Sequence, residues 1–78
     1  MEIKILGTGC PKCQKLEQIA RDVAAARGID AKFEHIRDRA EILKYPVIGT
    51  PALVIEGQVK ASGRIPSKEE IAAWLDNP

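Results

Sequence analysis

The chain has 78 residues, 45% hydrophobic and 29% charged, and its 12 Lys and Arg nearly balance its 11 Asp and Glu. That length implies one domain, residues 1–78, with a small core. Balanced charge and few aromatics argue against nucleic acid and against an anionic membrane as partner, and no run is apolar enough to span a bilayer.

Glu2–Leu6, "EIKIL", alternates apolar and polar residues and stops at Gly7, which predicts a first strand. From Pro11 the period changes. Leu16, Ile19, Ala20, Val23 and Ala24 fall on one helical face, and Gly28 suits the C′ position that ends such a helix. "IDAKFEHI" alternates again as a second strand. Asp38 and Glu41 have capping-box spacing, and a short helix carrying Ala40, Ile42 and Leu43 must end before Pro46. "PALVIEGQVKAS" reads as two strands turning at Glu56-Gly57. Ser67 and Glu70 form a second capping box, opening a helix with Ile71, Trp74 and Leu75 inward. The order is β-α-β-α-β-β-α. Its opening βαβ requires parallel strands and a right-handed crossover, the hairpin adds antiparallel ones, and the expected result is an α/β fold with a mixed sheet and helices on both faces.

The chemistry concentrates in Cys10-Pro11-Lys12-Cys13, which holds both cysteines of the chain. Cys10 falls at a predicted strand-to-helix junction and Pro11 suits the first helical position. Unpaired N–H groups and the helix dipole there favour thiolate over thiol at Cys10, and Lys12 adds a positive charge. Cys13 lies one turn further on the same side, the more shielded of the two. Such a pair serves either of two chemistries. As a dithiol, Cys10 attacks a disulfide and Cys13 resolves the mixed disulfide. As soft ligands, the two thiolates hold Cu(I) or arsenite. A structural zinc site lacks its four ligands here, His35 being the only other good candidate. "GTGCPKC" also resembles the metal loop of the heavy-metal-associated domain, although Thr8 stands where that family has Met and a helix is predicted where that module ends in a strand. A redox sensor or docking module without turnover is a third class.

A second motif, Thr50-Pro51 before the apolar Ala52-Leu53-Val54, joins with the first to resemble the thioredoxin/glutaredoxin superfamily. The likeness spans the chain, and is narrower with the small prokaryotic redox-active disulfide proteins, on Gly7 to Cys13, Thr50 to Val54, Gly57 and Ser62 to Ser67. It implies a thioredoxin fold with a four-stranded sheet and thiol–disulfide oxidoreductase activity without a cofactor or metal. It implies a cis Pro51 lying against the cysteine pair and keeping metal from it, a Thr50 backbone that bonds an extended substrate, and close backbone approach at Gly63. Cys10 and Cys13 are then the catalytic residues, and Pro11, Lys12, Thr50, Pro51 and Gly63 contact substrate. The glutaredoxin Gly-Gly-Asp segment is replaced by Ser62-Gly63-Arg64, so glutathione specificity is not implied.

The expected partners are a disulfide-containing protein or small-molecule client and an upstream reductase or thiol donor. The expected state is a monomer. "MEIKILGTG" lacks the regions of a signal peptide, so the cytoplasm is the expected location. Lys12 is read as weak tuning of Cys10, His35 as structural or surface, and Tyr45 and Trp74 as packing residues. Arg37, Arg39 and Arg64 are read as surface arginines that offer, at most, a patch for carboxylates.

Overall fold

The computed structural model describes residues 1–9 and 11–76. Seven elements follow in the order expected: β1 (Glu2–Leu6), α1 (Pro11–Ala26), β2 (Lys32–Ile36), α2 (Arg39–Ile42), β3 (Ala52–Ile55), β4 (Gln58–Ser62) and α3 (Lys68–Asp76). The sheet has four strands in the order β2-β1-β3-β4. β1 pairs parallel with β2, and β3 pairs antiparallel with both β1 and β4, so the sheet is mixed as predicted.

Period-two alternation sorts the side chains between two faces. Ile3 and Ile5 of β1 and Leu53 and Ile55 of β3 meet Leu16, Val23 and Ala24 of α1 and Ile71 and Leu75 of α3. On the opposite face Leu6, Ala52 and Val54 meet Ile42 of α2, with Tyr45 and Val47 packed alongside. Trp74 packs on the first cluster half-buried, and Tyr45 packs on the second while accepting a 3.3 Å hydrogen bond from Lys4 Nζ. Both are packing residues, as read from the sequence. Among the described residues no helix is long and apolar enough to cross a membrane.

The local signals act where the backbone needs them. Ile29 N–H bonds Ala24 O and Gly28 N–H bonds Ala25 O, with Gly28 at φ +66°, which is a Schellman end to α1. That close consumes Ile29, so β2 starts at Lys32 rather than at Ile29 as the alternation suggested. The Ser67–Glu70 box forms in full: Glu70 N–H donates to Ser67 Oγ and Ser67 N–H to Glu70 Oε1. The Asp38–Glu41 box forms by half. Asp38 Oδ1 accepts from Ala40 N–H at 2.9 Å, but the Glu41 carboxylate turns to Lys44 instead. A four-residue helix leaves its third residue close enough to the C-terminal lysine for that ion pair to compete. In α2 only Ile42 is buried, while Leu43 is its C-cap and is exposed. Glu56 and Gly57 both have positive φ, 51° and 80°, which matches the right-handed twist of β3 and β4 in a two-residue turn.

Candidate functional site

The site forms at the C-terminal ends of β1 and β2, where the chain enters α1 and α2. β1 ends at Leu6, and Gly7 continues its ladder by donating to Ile36 O at 2.9 Å. The turn Gly7-Thr8-Gly9 then leads to α1, whose first residue is Pro11. Gly9 takes φ +91°, in the region that L side chains rarely adopt, and its carbonyl accepts from Gln14 Nε2 at 3.3 Å. Cys10 lies outside the described residues. Pro11 and Lys12 stand exposed on the first turn of α1, and Cys13, one turn in, is wholly buried.

Gly7 explains how Cys13 is accommodated. A Cβ on Gly7 would stand 2.2 Å from Cys13 Sγ and 3.2 Å from its Cβ. Any side chain there would occupy the space of the sulfur. The same imagined Cβ lies 3.9 Å from Thr50 Cβ. The two motifs, separated by 36 residues of chain between Cys13 and Thr50, therefore meet at Gly7. The Thr50–Pro51 peptide bond is cis. Thr50 is exposed and Pro51 is buried.

The loop that presents Thr50 is held from β4. Ser62 Oγ accepts from Ile48 N–H at 2.7 Å and from Gly49 N–H at 3.2 Å, and donates to Gly49 O at 3.1 Å. Gly63 N–H donates to Pro51 O at 3.0 Å. A Cβ on Gly63 would meet its neighbours no closer than 4.0 Å, so space is not what glycine supplies there. Its φ of +76° is, and the Gly63 backbone does run close to the loop, its Cα 3.5 Å from where a Cβ of Gly49 would stand.

The remaining candidates separate. His35 faces α1, with Nδ1 3.0 Å from Glu17 Oε1; Glu17 also accepts from Arg21, which lies over the Phe33 ring at 4.6 Å. That network fastens β2 to α1, and it makes His35 structural. Arg64 leaves the arginine group to bond Glu70. Arg37 stays at the site, its Nη1 2.9 Å from where a Cβ of Gly9 would stand. Sequence reasoning missed Gly7, Gln14 and Ser62 as individual contributors. The sequence showed Gly7 only as the glycine that stops the first strand; that it makes room for a sulfur is visible only in the fold. Among the described residues no three His, Cys, Asp or Glu side chains come together as a metal site.

Known proteins agree with this architecture. A family model described as a thioredoxin domain matches residues 1–76. A thioredoxin of Methanothermobacter thermautotrophicus is 46% identical over 75 residues, covering 96% of this chain and 97% of its own length. A thioredoxin of Methanocaldococcus jannaschii is 38% identical over 73 residues, covering 94% of this chain and 84% of its own. Both matches cover nearly the whole of this chain. The chain belongs to the thioredoxin family and is a protein disulfide oxidoreductase that works by thiol–disulfide exchange.

Proposed function

We propose that Cys10 is the attacking thiolate and Cys13 the resolving thiol of a single-domain, cytoplasmic reductant of client disulfides. The Cys10 thiolate attacks one sulfur of the client disulfide. A Cys10–client disulfide forms and the second client sulfur leaves as a thiolate that takes up a proton. Cys13 then gives up its proton and attacks the Cys10 sulfur, which releases the first client sulfur and leaves a Cys10–Cys13 disulfide. Two electrons have passed to the client, and an external dithiol restores the pair.

The observation that carries this reading is the burial of Cys13 at the first turn of α1, with its sulfur against Gly7 and Thr50 beside the same glycine. A buried thiol is protected from stray disulfides and reacts with what is delivered beside it. Cys10 directly precedes α1 in the chain, where first-turn N–H groups and the helix dipole favour its thiolate. Pro11 and Lys12 border the client, the Thr50 backbone pairs with an extended client segment, and Pro51 and Gly63 shape the loop that does so.

The test is reduction of insulin disulfides with a dithiol donor. Wild type turns over, Cys10→Ser does not, and Cys13→Ser accumulates a covalent client adduct visible by mass spectrometry. Turnover by Cys10→Ser, or a client adduct on Cys13 in the wild type, overturns the assignment.

A further inference from the structure

Beside Thr50 a groove of about 430 Å³ opens between α2 and the loop that follows it, lined among others by Thr8, Arg39, Ile42, Leu43, Ile48 and Thr50. Leu43 and Ile48 are 73% and 92% exposed, and they are the large hydrophobics left exposed among the described residues. Single exposed aliphatic residues are ordinary; two lining one groove beside a reactive site mark a binding surface.

The unpaired charge around it is positive. Among the described residues Arg21, Arg27 and Arg64 bond the carboxylates of Glu17, Asp76 and Glu70. Arg37 and Arg39 bond none, and both stand here, Arg37 over Gly9 and Arg39 in the groove wall. The nearby carboxylates are engaged: Asp38 caps Ala40 N–H and Glu41 pairs with Lys44.

We propose that this groove selects protein clients, taking an aliphatic or aromatic side chain next to the client's disulfide cysteine while Arg37 and Arg39 take an acidic side chain that flanks it. The inference rests on the redox reading above and specifies its substrate. A protein segment fits better than a small anionic disulfide such as glutathione disulfide, because the latter has no apolar side chain to cover Leu43 and Ile48. Exposed arginine–carboxylate pairs contribute little individually, so the expected discrimination is modest and falls mainly on association.

Two peptide disulfides that share a Leu beside the cysteine, one flanked by Glu and one by Lys, decide it. Wild type is expected to reduce the Glu peptide with a kcat/KM about tenfold higher, two pairs at a few-fold each. The joint charge reversal Arg37→Glu with Arg39→Glu reverses the order. Added salt shrinks the preference of the wild type, which tests the role of charge without any variant. Replacing the Leu by Ser in the Glu peptide costs several-fold, and glutathione disulfide is reduced more slowly than the Glu peptide. Equal rates for the Glu and Lys peptides, a preference that survives charge reversal, or faster reduction of glutathione disulfide each overturn the inference while leaving the redox reading intact. If neither peptide turns over, the redox reading fails, and relative affinities of the two peptides for Cys10→Ser still decide the docking claim.

Discussion

The two faces of the sheet are built differently. One carries α1 and α3, sixteen and nine residues long, over a continuous apolar layer from Ile3 to Leu75. The other carries the single turn of α2 and an irregular loop over Leu6, Ala52 and Val54. Apolar burial fixes the first face; on the second, polar anchors from Ser62 and Asp38 hold much of the backbone. The thinly covered face is also where the loop bearing Thr50 and the groove beside it lie. A 78-residue chain cannot cover both faces deeply. The side left thin is free to present backbone and apolar side chains to another molecule.

Core truncations test that contrast with the largest expected effect. Leu16 is wholly buried between α1 and the sheet, so Leu16→Ala is expected to cost about 2–5 kcal/mol, much of the stability of so small a domain. Ile42 is buried at the rim of an open groove, where water or loop movement fills the gap. Ile42→Ala should cost no more than about 2 kcal/mol. Urea midpoints at unchanged m measure both. Equal losses would show that the second face is as well packed as the first.

Ser62→Ala probes the polar anchoring. It removes three hydrogen bonds to Ile48 and Gly49 but no apolar contact of consequence, and water reaches the half-buried site. The expected stability loss is about 1 kcal/mol. The loss in kcat/KM toward a protein disulfide should be larger, about tenfold, because Thr50 is no longer held in place beside Gly7 and Cys13. A variant that loses stability but keeps full kcat/KM would mean that the loop is positioned by Pro51 and its bond from Gly63 alone.

This division also separates what was legible in the sequence from what was not. Elements with their own periodicity and caps, α1 from Pro11 with Gly28 after its end and α3 behind Ser67, were readable because the information is local. The Glu56-Gly57 turn was readable for the same reason. On the thin face the outcome depended on competition between near-equal local choices. Glu41 faced both the Asp38 N–H and the Lys44 ammonium, and the ion pair won. The exposure of Leu43 and Ile48 had no local signature, since both are ordinary core residues by type. At the site, the spacing of Cys10 and Cys13 was plain, and Thr50-Pro51 entered through a family likeness. Neither revealed that Gly7 is where the two motifs meet, because that contact exists only after β1 and β3 have paired.

The smallest expected effect concerns acid, and it belongs to the thick face. Arg64 donates from both terminal nitrogens to Glu70, at 3.0 and 2.8 Å, and Ser67 N–H donates to the same carboxylate at the start of α3. The Arg64 guanidinium first, then the Ser67 N–H, lower the Glu70 carboxyl from its ordinary 4.5 to about 2. The folded state therefore binds this proton less readily than the unfolded chain. The contribution is fully present above pH about 4.5 and is lost as pH falls toward about 2. Both side chains are exposed, so solvent and salt screen the pair and the change is modest. Other carboxylates titrate in the same range, which makes the difference between two proteins the useful quantity. Across that window the urea midpoint of wild type should fall more than that of Glu70→Gln, and added salt should narrow the gap. Parallel curves for the two proteins would mean that the cap and the bridge at the mouth of α3 add nothing, leaving this helix to its apolar contacts with α1 and the sheet.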